Sequence, residues 1–171
     1  MEFGQPTKLQ DGRYFLRITG KDGNRIFKQV NGAEVQEANC FKVPVTFADI
    51  DDEIMVQAEQ SSEEWFNKKL DKDAIKSAFD ASVTAGILEA PFAKRNGVIV
   101  TKAFDKDKNE ISTDVLTPGT QCDIIVELTG LWFVKKSFGP VWRVVQVRMK
   151  RESSFPKNYL FSDEESEDEY M

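Results

Sequence analysis

The spacing of apolar residues changes along this chain, and that change limits the fold more than any other feature. Strand-like alternation of apolar and polar residues covers residues 12–19, 24–30, 40–47, 53–58, 98–104, 120–134 and 141–149. Residues 61–83 instead carry apolar side chains at helical spacing, after a capping-box start at Ser61 and Glu64. This order predicts a mainly β chain of the α+β class. We expect an OB-fold-like antiparallel barrel with one helix between the third and fourth strand regions. A β-sandwich with one helix at its end is the alternative.

Turn residues add detail to this prediction. Residues 20–23, Gly-Lys-Asp-Gly, indicate a hairpin between the first two strands. Residues 105–110 indicate a polar hairpin turn rather than a calcium loop, because the sixth loop position is Glu110 instead of glycine. The acidic cluster at 49–53 is expected to be a solvated loop rather than an ion site.

Charge divides the chain into two parts. Residues 162–171 hold six carboxylates and no base, which accounts for the whole formal net charge of −6. A run of like charge with little apolar content cannot bury enough surface to offset its ordering entropy. We therefore expect a folded domain over 1–161 and a disordered acidic tail over 162–171. The tail residues expected to bind a partner are Asp163, Glu164, Glu165, Glu167, Asp168, Glu169 and Tyr170.

Composition argues against catalysis. The chain has no histidine, which removes the commonest general base and the commonest zinc ligand. No phosphate-binding or dinucleotide motif is present, so we expect a non-enzymatic protein without cofactor or metal. Cys40 and Cys122 are far apart in sequence and indicate a reducing compartment. The absence of an apolar leader or spanning segment predicts a soluble, intracellular protein with no membrane partner.

Basic residues concentrate near the two ends of the body, within 8–28 and 131–157. The alternation of side chains along a strand places aromatic and basic residues together on the non-core face of three strands. These outward residues are Arg13, Phe15 and Arg17, then Arg25 and Phe27, then Trp142, Arg148 and Lys150. In the strand over 120–134, Phe133 and Lys135 face outward if the strand is regular. Trp132 and Lys136 do so if Gly130 introduces a bulge.

Cations beside exposed aromatic rings are what single-stranded nucleic acid needs, since phosphates bind cations and unpaired bases stack on rings. A solvated sheet face is the more frequent explanation of any one pair, but several pairs together favour a groove. The predicted function is single-stranded-DNA binding in replication, recombination or repair, without strong sequence preference. The predicted interface is Arg13, Phe15, Arg17, Arg25, Phe27, Trp132, Phe133, Lys135, Lys136, Trp142, Arg148 and Lys150. The alternative is an acidic-tailed, histone-like chaperone or assembly factor that binds no nucleic acid.

Residues 128–149, LTGLWFVKKSFGPVWRVVQVRM, resemble the last two core strands of the single-stranded-DNA-binding proteins of large double-stranded-DNA viruses. Those proteins in turn resemble the phage replication type with an acidic tail. The resemblance implies an OB-fold, cooperative coating of replication intermediates, and a viral replication site in the host nucleus or cytoplasm. It also implies a tail that occupies the groove until DNA displaces it and that recruits replication proteins such as a DNA polymerase. A homodimer is a further partner that this interpretation allows. Arg143 falls within the motif, although strand alternation assigns it to the core side.

Overall fold

The computed structural model describes residues 1–37, 40–44, 49–150 and 159–162, and strands are the commonest secondary structure among them. The strands are β1 (Glu2–Phe3), β2 (Thr7–Lys8), β3 (Tyr14–Thr19), β4 (Ile26–Gln36), β5 (Cys40–Pro44), β6 (Val83–Thr84), β7 (Ile87–Pro91), β8 (Lys94–Arg95), β9 (Val98–Ile99), β10 (Lys102–Phe104), β11 (Glu110–Ile111), β12 (Gln121–Val134) and β13 (Ser137–Met149). The helices are α1 (Asp49–Gln60), α2 (Ser62–Phe66) and α3 (Lys72–Ala78). The prediction of a mainly β chain is confirmed. No helix in the described ranges is long and apolar enough to cross a membrane.

The strands form an open, mixed sheet in the order β11-β10-β13-β12-β4-β5-β7-β6. Strand β3 pairs with β12 beyond the end of β4, and β1 and β2 pair with β3. Strands β10 and β13 run parallel, whereas the other pairs are antiparallel. Strands β8 and β9 form a separate two-stranded ribbon. The closure of this sheet into a barrel stays a prediction.

Strands β3 and β4 do not form the hairpin that residues 20–23 indicated. Both pair with the same edge of β12, since the other edge is occupied by β13. Leu128 lies opposite Ile26 of β4, and Gly130 lies opposite Arg17 of β3. The turn between the two strands is closed by a hydrogen bond of 2.7 Å from the Gly20 N–H to the Asn24 carbonyl. The two strands therefore follow one another along β12, which explains why a tight turn does not pair them.

The strand predicted over 53–58 is wrong, because these residues belong to α1. Ile50, Ile54 and Ala58 are buried at a spacing of four residues, which matches one face of a helix. A window of six residues also alternates in polarity, so the short pattern did not separate the two structures. The predicted loop over 49–53 is wrong for the same reason.

The single helix predicted over 61–83 is also wrong. Helix α2 ends at Phe66, because the next residue, Asn67, has a left-handed φ of 60°, and α3 begins at Lys72. Ser61 makes no capping hydrogen bond, whereas Asp71 accepts one of 2.8 Å from the Ala74 N–H and caps α3. The Ser62 hydroxyl accepts a hydrogen bond of 3.0 Å from the Leu70 N–H and holds the loop between the helices.

A buried carboxylate joins α1 to the segment that follows the helices. Asp51 is 6% exposed and accepts hydrogen bonds from the Ser82 hydroxyl and N–H at 2.5 and 3.1 Å. The Val83 N–H adds a third bond of 3.3 Å. Burial raises the pKa of the Asp51 carboxyl above its ordinary value, and the hydrogen bonds from Ser82 oppose that rise. This acidic residue is therefore a structural link rather than a solvated side chain.

Aromatic packing anchors the helices to one end of the β12–β13 hairpin. The Phe138 ring is fully buried, and its centroid lies 5.2 Å from that of Phe66 and 5.8 Å from that of Phe133. Trp65 meets Phe133 edge-on at 6.0 Å. Such pairs add to the hydrophobic stabilisation of the core. The helices consequently cover the inner face of the sheet at this end and leave the outer face of its middle strands exposed.

Candidate nucleic-acid interface

The outer face of the sheet is centred on Glu127 of β12. Strand register places Glu127 between Phe27 of β4 and Arg143 of β13. Arg25, directly before β4, reaches the same carboxylate, with bonds of 2.7 Å from Nε and 2.9 Å from Nη2. The Arg143 Nε donates to Glu127 Oε1 at 2.9 Å. One carboxylate therefore holds two guanidinium groups side by side.

The electrostatics of this cluster follow from its burial. The Glu127 side chain is 5% exposed, whereas those of Arg25 and Arg143 are 52% and 34% exposed. Burial alone would raise the pKa of Glu127, but hydrogen bonds from Arg25 and Arg143 outweigh it and lower the pKa below its ordinary value. The carboxylate stays ionised at neutral pH. Because the arginines cover it, the surface facing solvent is cationic.

These residues lie in a groove of about 660 Å³ between the sheet and the ribbon formed by β8 and β9. We call this the outer groove. Its basic lining residues are Arg17, Arg25, Lys94, Arg95 and Arg143. Glu127 is the one carboxylate among the described residues that line it. Five cations against a covered carboxylate give the groove a strong attraction for polyanions.

The ribbon over residues 94–99 forms one wall of the outer groove. Asn96 and Gly97 have φ values of 52° and 79°, as a two-residue hairpin turn of type I′ requires. The base is anchored by Thr101, whose hydroxyl donates to the Val144 carbonyl at 2.6 Å and accepts from the Ala93 N–H at 2.8 Å. Sequence reasoning missed Lys94 and Arg95. The Asn-Gly pair between two short apolar-polar runs was the signal that could have found them.

Phe15 lines the outer groove, and Phe27 lies beside it on the same face of the sheet, opposite Glu127. Phe27 is 46% exposed, and the guanidinium carbon of Arg25 lies 4.8 Å from the centroid of its ring. Phe15 lines the groove and lies over Gly130, which has no side chain to obstruct the ring. The structure thus brings Phe15, Arg17, Arg25 and Phe27 together, as their positions in the sequence predicted.

The outward positions predicted for Trp142 and Phe133 are wrong. Trp142 is among the residues that line the outer groove but is only 4% exposed, because Val145 is an extra residue in β13 that reverses the facing of the residues before it. Arg143 consequently faces outward and not toward the core. A second extra residue, Thr129 of β12, confirms the bulged alternative and buries Phe133. Trp132 is half-buried beside Phe15 in register.

The remaining predicted residues do not line the outer groove. Arg13 pairs with Asp11 at 2.6 Å, and Arg148 pairs with Asp123 at 2.8 Å. Lys150 follows the end of β13. Lys135 and Lys136 form the exposed turn between β12 and β13. The predicted partner-binding positions of the tail lie outside the described residues. They are Asp163, Glu164, Glu165, Glu167, Asp168, Glu169 and Tyr170.

The Glu127 cluster predicts a pH-dependent contribution to stability. Because the pKa of Glu127 is lowered from 4.5, its stabilisation is complete above that value and is lost as the pH falls through the lower pKa of the folded state. We expect Glu127→Gln to lower the free energy of unfolding by about 2 kcal/mol at pH 7 and by much less at pH 3. Urea denaturation of both chains at both pH values measures this. Asp11→Asn, in an exposed pair, is the control and should change little. An equal loss from Glu127→Gln at both pH values would contradict the assignment.

Comparison with known proteins places the chain in a family. It belongs to the DUF5871 family, a family of unknown function, whose model matches residues 28–163. No match was found among curated proteins.

Solved structures of the single-stranded DNA-binding protein of bacteriophage Enc34 are similar to this chain at a low level. The full protein is 13% identical, with all of both chains covered and a TM-score of 0.43. A C-terminal truncation is 12% identical over 90% of this chain and 96% of that one, with a TM-score of 0.43. The complex with single-stranded DNA is 12% identical over 90% and 98%, with a TM-score of 0.41. Likeness of this size transfers no function, so the function is inferred from the outer groove.

Proposed function

We propose that this chain binds single-stranded DNA in the outer groove, without strong sequence preference and without catalysis. The observation that carries the proposal is the combination of five cationic side chains and two accessible aromatic rings on one face of the sheet. If these residues only solvated the sheet, no ribbon would be needed beside them. The ribbon formed by β8 and β9 is instead anchored by Thr101 and adds Lys94 and Arg95 to the same groove. The arrangement suits a chain of phosphates with unpaired bases.

The phosphates would bind the arginines that Glu127 holds. Each guanidinium carries five N–H donors, and Glu127 occupies two of those of Arg25. The other donors are directed away from the carboxylate and remain for phosphate oxygens. A side chain fixed in this way loses less conformational entropy on binding than a free one. The buried carboxylate thereby orders the cations while they cover its charge.

The bases would stack on the aromatic rings. Phe27 presents nearly half of its surface at the edge of the cationic cluster, and Phe15 lines the groove beside Arg17. Stacking accepts any base, because every base has a flat apolar face. None of the three described helices lines the outer groove, so no helix there presents basic residues to the groove of a duplex. The combination favours single strands over duplexes.

The biological role we propose is replication, recombination or repair of DNA, with an OB-like barrel as the scaffold. The acidic tail over 162–171 would compete with DNA for the outer groove, because its six carboxylates complement the five cations there. Displaced by DNA, the tail would become available to replication proteins such as a DNA polymerase. A polyanionic segment tethered to a cationic groove makes DNA binding sensitive to the tail as well as to salt.

Binding of labelled oligo-dT, measured by fluorescence anisotropy at several salt concentrations, tests the proposal. We expect salt-sensitive binding by the full chain. Phe27→Ala should weaken it by roughly tenfold at an unchanged salt slope, because the loss of one stacked base costs about 1 to 3 kcal/mol. Arg95→Ala should instead make the slope shallower by about 0.7, the value for one phosphate contact on a single strand.

Tyr14→Ala is a matched control for Phe27→Ala. Tyr14 is 43% exposed, close to the 46% of Phe27, but it lies on the opposite face of β3 from Phe15. We expect wild-type affinity from this variant. Binding that is absent, insensitive to salt, or weakened equally by Tyr14→Ala and Phe27→Ala would contradict the assignment of the outer groove.

A further inference from the structure

A second concavity lies where α2 and α3 pack beside the turn between β12 and β13. It has a volume of about 1160 Å³, and Lys68, Lys135 and Lys136 are among the residues that line it. We call it the helix-side cleft. It shares no lining residue with the outer groove. Tyr14 lines the cleft while its neighbour Phe15 lines the groove, so the two sites lie on opposite faces of β3.

The helix-side cleft combines available cations with an apolar floor. Within the described ranges, none of the ion pairs involves Lys68, Lys135 or Lys136. Two carboxylates also line the cleft, but Asp11 is already paired with Arg13, and Glu64 alone does not balance three lysines. The floor contains the partly buried side chains Phe66 and Leu70. Such a site fits an acidic peptide that also carries apolar side chains.

The chain itself contains a segment of this composition. Leu160 and Phe161 are 71% and 80% exposed, and Tyr159 beside them is 72% exposed. Exposed apolar residues grouped in this way mark an interaction site. The six carboxylates of the tail follow directly after Ser162. We call residues 159–161 the apolar anchor. This anchor, followed by an acidic run, is complementary in chemistry to an apolar floor bordered by lysines.

We propose that the helix-side cleft binds residues 159–170 of a second copy of this chain. Strand β13 starts at the cleft with Ser137 and extends about 40 Å away from it to Met149. The twelve residues from Met149 to Phe161, the far end of the apolar anchor, span about 40 Å only when fully extended. The apolar anchor of the same chain therefore reaches the cleft only as a fully extended segment, whereas that of a neighbouring copy is under no such constraint.

The contact has a consequence for assembly. It joins two different surfaces, the cleft of one copy and the C-terminal segment of the next, so it can link copies head to tail in a row or join two copies by reciprocal exchange. When DNA occupies the outer groove, the tail is released from it and becomes available to the neighbour. The coating of a strand by such a row rests on the proposed function, but the peptide contact itself does not.

A labelled peptide of residues 159–171 tests the contact. The acceptor is the full-length chain with its six tail carboxylates changed to amides and with Phe161→Ser, so that it cannot donate its own segment. We expect the peptide to bind this acceptor even when a saturating short oligo-dT fills the outer groove. Lys135→Glu with Lys136→Glu should weaken the peptide by at least about tenfold. The control Lys21→Glu with Lys106→Glu changes the same charge outside the cleft and should have no effect. Thermal unfolding confirms that each acceptor is folded.

Several outcomes would overturn the proposal. Loss of peptide binding on addition of oligo-dT would place the peptide in the outer groove. Equal weakening by both charge reversals would show a non-specific effect of charge. A fall in oligo-dT affinity with Lys135→Glu and Lys136→Glu would make the cleft a nucleic-acid site instead. If oligo-dT does not bind at all, the proposed function fails, and the peptide titration without oligo-dT still decides whether the cleft binds the segment.

Discussion

Gly130→Ala is expected to lower the free energy of unfolding by about 3 kcal/mol and the melting temperature by about 10 °C. A Cβ atom at this position would lie 2.1 Å from the Leu16 carbonyl oxygen and 2.6 Å from the Phe15 ring. The carbonyl belongs to the backbone of β3, which pairs with β12 at this point, so it cannot move without loss of that pairing. Thermal and urea denaturation measure the loss.

Gly20→Ala is the matched control. A Cβ atom there meets its nearest neighbours, the Asn24 carbonyl oxygen and an Ile26 carbon, at 3.5 and 3.7 Å, which is ordinary contact. We expect its melting temperature to stay near that of the wild type. Gly130→Ala should in addition weaken oligo-dT binding, because the Phe15 ring is displaced from the outer groove. A wild-type melting temperature for Gly130→Ala would show that β3 does not approach β12 as closely as described.

The part of the site that could be predicted from sequence lies on β3 and β4. β3 alternates throughout, and β4 stays in register with β12 from Ile26 to Asn31, so Phe15, Arg17 and Phe27 were assigned to the correct face from spacing alone. Their assembly into one groove depends on β12, which aligns both strands along a single edge. That alignment is a long-range pairing and leaves no local pattern in the sequence.

The errors on β12 and β13 have a common cause. One extra residue in each strand, Thr129 and Val145, reverses the facing of everything on one side of it. Neither threonine nor valine marks a bulge. The regular alternation predicted through Val145 therefore placed Trp142 outward and Arg143 in the core, the reverse of the structure. Gly130 did signal the first bulge, but only as an alternative. The helical region failed differently, because six residues of α1 alternate in polarity as a strand does.

The second large effect is expected where an arginine covers the Glu127 carboxylate in the outer groove. Arg143→Ala is expected to weaken oligo-dT binding by roughly 10- to 100-fold at low salt, more than the loss of one phosphate contact. The variant removes a cation and also uncovers Glu127, which is then held by Arg25 alone on the floor of the groove. An uncovered carboxylate repels the phosphates that the arginine attracted. Fluorescence anisotropy of labelled oligo-dT measures the change. Arg13→Ala, which breaks an arginine–carboxylate pair outside the groove, is the control and should leave the affinity unchanged.

A double-mutant cycle separates the two causes of that loss. If the uncovered charge contributes, Glu127→Gln added to Arg143→Ala should restore part of the affinity, with a coupling of about 1 to 2 kcal/mol. Glu127→Gln alone should not strengthen binding, because the order that the carboxylate imposes on both guanidinium groups is lost together with its charge. Additive effects of the two substitutions would mean that Glu127 acts on DNA independently of Arg143. A covered carboxylate among arginines thus accounts for an acidic residue in the middle of a site for a polyanion: its charge is masked by the same side chains that it holds in place.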